Sequence, residues 1–259
     1  ADVVLINGLG FEGFIERLTK ASAPKSAVVE LATGIETLKA EEGGHDHHGE
    51  EQKSAEAEHK HGEGDHAHAE GEAAHEEAGH DDGEIDPHAF QSVANVRVYV
   101  KNITDALCAA DTAGCSDFKA NAAGYDEKLA ALDTEIKAAG SAIPAEKRVV
   151  ITSHDAFGYF ANAYGLTFHA PEGISTESEA SAADVAKLID QIREEKAAAV
   201  FVENISDPRL IEQISKEAGV KVGGALYSDA LSGPDGPAAT YIDMMRHNVM
   251  TIKGAILGS

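Results

Sequence analysis

From Glu41 to Asp86 the chain offers a fold almost nothing to bury. The stretch holds nine histidines, His45, His47, His48, His59, His61, His66, His68, His75 and His80, set among Glu, Asp, Gly and Ala. Ordering a residue costs about 1–2 kcal/mol of backbone entropy. The segment lacks the apolar side chains that would offset this, so it is predicted to stay flexible without metal. It therefore divides the foldable sequence into a short leading piece and a long trailing one. Imidazoles interleaved with carboxylates are also ligand chemistry for borderline divalent ions, zinc first and then copper and nickel. An acidic linker or a purification tag is the plainer reading. A tag, however, is usually a terminal run of consecutive histidines, and these are dispersed and internal.

Charge follows the same division. Seventeen Asp and Glu against Lys53 and Lys60 give the segment a net −15 of the formal −24 carried by 259 residues. The remaining −9 is ordinary for an acidic globular protein. Nucleic acid is a poor partner, because phosphate binding needs a basic face; a cation is the natural guest. No run of 18 or more apolar residues exists, so the chain is not expected to span a membrane. It begins at Ala1-Asp2-Val3-Val4 with neither Met nor a signal-peptide pattern, which fits a processed or trimmed chain. Cys108 and Cys115, with six residues between them, exclude a C-x2-C zinc knuckle and leave a short disulfide loop or two free thiols.

Periodicity supplies the elements. Val3–Asn7 reads as a short buried strand and Ala27–Leu31 as another short β-type run, around a helix over Phe11–Ala21, a parallel α/β pattern. After the histidine segment, Val93, Val96, Val100, Ile103 and Leu107 recur at 3-4-3-4 spacing, an amphipathic helix. A second helix carries Phe118, Ala122, Tyr125, Leu129, Leu132 and Ile136 for about six turns, with Gly140 and Pro144 read as its end. Strands at Val149–Thr152, Ala199–Val202 and Val220–Leu226 then alternate with helices at Phe157–Tyr164, Ala182–Glu195 and Asp207–Ala218, before a closing helix over Thr240–Leu257. Ser181 and the Asp207-Pro208 pair are helix-start signals. The expected architecture is two α/β lobes joined by a long helix. Residues 1–115 form the first lobe with its histidine loop at about 41–86, 116–143 the connecting helix, and 144–259 the second lobe.

Four histidines lie outside the tract. Ligands in open α/β sheets gather beyond the carboxyl ends of the strands. His154, in Thr152-Ser153-His154-Asp155, and Asp229, in Tyr227-Ser228-Asp229, both follow predicted strands of the second lobe. His88, in Asp86-Pro87-His88, precedes a helix of the first lobe and can face them. Each alone is more often a cap, turn or surface residue; together they make a His/His/carboxylate set suited to a tetrahedral ion. His169 and His247 lack such a setting and read as structural.

These motifs resemble a known family. Ala1–Gly10 (ADVVLINGLG), Asp86–Phe90 (DPHAF), Val150–Phe160 (VITSHDAFGYF), Tyr164-Gly165, Gly224–Ser232 (GALYSDALS) and the terminal helix are similar to the periplasmic and lipoprotein metal receptors of ABC importers for zinc and manganese, in particular the ZnuA-type zinc receptors. A histidine tract just ahead of DPH is a ZnuA-type trait. The resemblance implies a rigid linking helix with Zn2+ held between the lobes by His88, His154 and Asp229. It also implies a periplasmic location, an ABC permease as partner, and a periplasmic zinc chaperone as a candidate further partner. Export favours a disulfide between Cys108 and Cys115. Manganese-preferring members tend to carry Glu where His154 stands. The family's further N-lobe histidine is expected upstream of the matched segment, along with the lobe's first strand. A carboxylate, water or tract histidine would then complete the sphere.

Two other functions compete with the receptor. A zinc hydrolase also uses His/His/Asp with an open fourth position, but no H-E-x-x-H signature is present. Glu203 is its best candidate base, with a structural role the stronger reading. A metal buffer would work through the tract alone. Removing residues 43–83 should lower the number of zinc ions bound while leaving the melting temperature of the metal-free body unchanged. Tract binding should weaken below about pH 6.5, where free imidazole protonates. Calorimetric titration of the two forms measures this, and a large fall in melting temperature would show that the segment is structural.

Overall fold

The structure is a computed structural model and describes residues 1–22, 26–39, 85–174 and 180–258. The nine tract histidines lie outside the described residues. At the two ends of the histidine segment, Lys39 just before it and Ile85 in its last residues form an isolated antiparallel bridge.

The first lobe opens with β1 (Val3–Ile6), α1 (Ile15–Ser22) and β2 (Ala27–Glu30), with β1 and β2 parallel and Val3 opposite Ala27. The helix starts four residues later than its apolar pattern suggests. Gly8, Leu9 and Gly10 all have positive φ, and the Glu12 carboxylate accepts from the backbone N–H of Asn7 and Gly8. That local hydrogen bonding holds a tight turn where a helix would otherwise begin.

Two long helices follow, α2 (Val93–Ala110) and α3 (Cys115–Ser141), and a disulfide joins Cys108 to Cys115 across the corner between them. The second lobe contains β3 (Val149–Ile151), α4 (Gly158–Tyr164), β4 (Thr167–His169), α5 (Ala182–Glu195), β5 (Ala199–Glu203), α6 (Pro208–Ala218), β6 (Val222–Leu226) and α7 (Tyr241–Leu257). Its sheet is parallel throughout in the order β4-β3-β5-β6. Ser181 accepts from the N–H of Asp184, and Asp207 from that of Arg209 with Pro208 in the first turn. These caps fix the starts of α5 and α6 where the sequence places them.

The two-residue period of the strands sorts side chains to opposite faces. Along β5, Ala199 and Phe201 enter one core, while Val200 and Val202 enter another beneath α5 and α6. The first core is shared between lobes. It runs from Val93 and Val96 of α2, through Leu129, Leu132 and Ile136 of α3, to Met245, Val249 and Ile252 of α7. Salt bridges Arg97–Asp126 and Arg246–Glu135 add only about 0–1 kcal/mol each, being exposed; they pin α3 to α2 and to α7.

Gly140 and Pro144 bracket the end of α3 at Ser141, and Gly140 has a further use. Its missing side chain serves packing, since a Cβ there would sit 2.7 Å from the carbonyl oxygen of Tyr164. Helix propensity favours Gly140→Ala by about 1 kcal/mol. Overpacking against a backbone atom costs about 1–3 kcal/mol, and a carbonyl in the C-terminal turn of α4 has little room to retreat. The clash should win, and a lower urea midpoint is the expected result; a rise would show that α3 and α4 can part freely.

Candidate metal centre

Three elements converge on one pocket. In the first lobe, Asn7 at the end of β1 donates to the carbonyl of Pro87 at 2.9 Å and accepts from the Tyr99 hydroxyl at 2.6 Å. The hydroxyl of Tyr159 donates to the carbonyl of Asp86. The Asp86-Pro87-His88 segment is thus held at both ends. Asp86 Oδ1 accepts from the N–H of His88 at 2.9 Å and lies 2.7 Å from its Nδ1. A Cβ on Gly158 would meet the other Asp86 oxygen at 2.7 Å, so that carboxylate needs the glycine at the start of α4.

In the second lobe the chain leaves β3 at Ile151 and reaches His154, whose side chain is fully buried. Past β6, buried Asn248 of α7 accepts from the N–H of Tyr227 and donates to its carbonyl. This sets the loop from which Asp229 projects. Gln91 then reaches across from the first lobe to donate to the carbonyl of Ser228 at 3.0 Å, and the Tyr241 hydroxyl donates to the carbonyl of Phe90.

The result is that His88, His154 and Asp229 each present a ligand atom within 4.8 Å of one another. Asp229 bridges the pair, with Oδ1 3.4 Å from His88 Nε2 and Oδ2 3.2 Å from His154 Nε2. The imidazole rings stand 5.4 Å apart and steeply inclined. Phe11 packs edge-on against both His88 and Phe90, closing one side with apolar surface. The remaining histidines are elsewhere: His169 pairs with Glu195 at 2.9 Å, and His247 lies 3.0 Å from the carbonyl of Ala225.

Sequence reasoning did not find Asn7, Tyr99, Gln91 or Asn248, which carry no motif and act over long separations. Glu203, the candidate hydrolytic base, has a side chain closed off from solvent and faces Nδ1 of His154 rather than the pocket. Such a carboxylate is badly placed to activate water.

Electrostatics follow from the crowding. For both imidazoles burial is the largest influence and lowers the pKa, but neighbouring carboxylates together overcome it. Asp229 and Asp86 raise His88 to about 9, and Asp229 and Glu203 raise His154 to about 10. Burial alone would raise Asp229, yet the two histidines hold it well below the usual carboxylate range.

Two α/β lobes closing on a buried imidazole–imidazole–carboxylate pocket define a two-lobed binding protein of the metal-receptor type. The chain belongs to the family described as ZnuA, zinc-uptake complex component A periplasmic, whose model matches residues 1–255. That is a family of solute-binding receptors and not of enzymes. Over 174 residues the chain is 40% identical to the iron-binding protein YfeA of Yersinia pestis, a match covering 67% of this chain and 56% of YfeA. It is 31% identical to the manganese-binding lipoprotein MntA of Halalkalibacterium halodurans, covering 99% of this chain and 72% of that one. The solved periplasmic zinc-binding protein TroA from Treponema pallidum superposes with a TM-score of 0.78 at 27% identity, covering 99% of this chain and 81% of TroA.

Because both histidine pKa values are raised above the ordinary 6.5, their protonated forms stabilise the metal-free fold fully below about pH 6.5, and that contribution is lost as pH rises through 9 to 10. A cation entering at pH 7 must displace those protons. Binding should therefore release about two protons, and apparent affinity should rise from pH 7 toward 9. Calorimetry in buffers of different ionisation enthalpy counts the protons; none released would mean that the imidazoles are already neutral.

Proposed function

We propose that this protein is a receptor that captures a divalent cation, zinc foremost, at His88, His154 and Asp229 and delivers it to the permease of an ABC importer in the periplasm. The observation that carries the reading is the meeting of three ligand atoms within 4.8 Å at the junction of two lobes. The family's description as a component of an uptake complex supports a membrane partner. Among the described residues no helix is long and apolar enough to cross a membrane. The division at 1–115, 116–143 and 144–259 fits a receptor that holds its cargo between lobes, with the histidine tract as a low-affinity collector.

Relatives are named for iron, manganese and zinc, so the metal has to be argued from the donors. Two imidazole nitrogens and one carboxylate suit zinc, whereas manganese prefers harder oxygen ligands. Titration with competing chelators tests this on the intact protein and two variants. His154→Ala should weaken the tightest zinc-binding event well beyond the roughly 10–100-fold typical of residues that only support a ligand. His154→Glu should weaken zinc and improve manganese relative to it. Unchanged tight binding in the first variant removes His154 from the ligand set, and an unchanged zinc-to-manganese ratio in the second removes its part in selectivity.

A further inference from the structure

Glu203 is the last residue of β5, and its carboxylate is wholly enclosed. A buried carboxylate persists only where donors surround it. Here Oε1 accepts from the backbone N–H of Ser153 at 2.7 Å and of His154 at 2.9 Å, while Oε2 lies 2.6 Å from His154 Nδ1, an ion-pair contact whose angle departs from that of a hydrogen bond and which, among the described residues, is the only polar neighbour close enough to satisfy either atom. All three groups belong to the turn that carries one ligand. The next residue, Asn204, donates its side-chain amide to the carbonyl of Ala230, beside the third ligand, Asp229. The end of β5 thus touches the supports of two ligands without reaching the pocket.

Resting on the metal-site reading above, we propose that Glu203 is the positioning residue of that site: it holds His154 with Nδ1–H directed at its carboxylate, so that Nε2 is the nitrogen offered to the cation. An ionised carboxylate is acceptor-only, and its partner nitrogen must therefore carry the proton. The other ring nitrogen is left to coordinate, and the adjacent negative charge increases its basicity. His88 receives the same treatment from Asp86, two residues away. For His154 the carboxylate comes from 49 residues downstream, so the packing of β3 against β5 decides how the ligand is aimed. In Glu203→Gln the amide oxygen can still accept from the two backbone N–H groups. That leaves the amide NH2 against Nδ1, which favours the tautomer with its proton on Nε2, where the cation must bind.

The test is a double-mutant cycle read by zinc titration with a competing chelator, together with melting of the metal-free forms. Glu203→Gln should weaken the tightest zinc site 10–100-fold, and the same change in a His154→Ala background should alter affinity less than about twofold. Equal losses in both backgrounds, or no loss in the first, overturn the positioning role while leaving the metal site standing. If His154→Ala alone leaves tight binding intact, the site reading itself fails and takes this inference with it. Should Glu203→Gln not fold, nitrogen-15 spectra of histidine-labelled wild-type protein loaded with Zn2+ decide. Metal on Nε2 with a proton on Nδ1 of His154 supports the proposal, and metal on Nδ1 overturns it.

Discussion

The Asp229 carboxylate lies between two imidazoles contributed by different lobes, and much of the molecule is arranged to keep it there. It approaches His88 and His154 at 3.4 and 3.2 Å through separate oxygens. Such an arrangement fails if either lobe shifts by an ångström. The lobes are not left to find each other through this contact alone. A single apolar core passes from α2 through α3 to α7, and Gln91 and Tyr241 bridge the cleft by hydrogen bonds to backbone carbonyls. Core packing sets the distance between lobes, and polar contacts near the pocket set the register.

Support for the two histidines has a common logic carried out at different ranges. Asp86 grips His88 from within one short segment, and Gly158 makes room for that carboxylate. Glu203 grips the turn of His154 from a neighbouring strand. Both imidazoles consequently direct Nε2 toward Asp229. Burial argues against charge on these rings, but the surrounding carboxylates prevail and raise both imidazoles, while the imidazoles in turn lower Asp229.

Much of this was legible in the sequence because it is local. The caps at Ser181 and Asp207 gave the starts of α5 and α6, and the apolar run Ala199–Val202 marked a strand. The Ser153-His154-Asp155 and Ser228-Asp229 clusters pointed to a shared site through their positions at strand ends, and Asp86-Pro87-His88 through its place before a helix of the facing lobe. What escaped was non-local. Asn248 clamps Tyr227 from 21 residues away, and Gln91 reaches Ser228 over 137; neither separation leaves a pattern in the chain. Gly140 marked the end of α3, but its close packing against α4 left no sign in the sequence. The late start of α1 likewise came from Glu12 binding the backbone of Asn7 and Gly8, a competition that apolar spacing does not register.

The raised proton affinities of His88 and His154 have a consequence for charge balance. On the proposed reading, two protons would leave as one dication arrives, and the pocket's formal charge would stay constant. Capture is then an isoelectric exchange, and the long-range field of the protein is nearly the same full or empty. On the same reading, a partner that distinguishes the loaded form from the empty one must respond to shape rather than to charge.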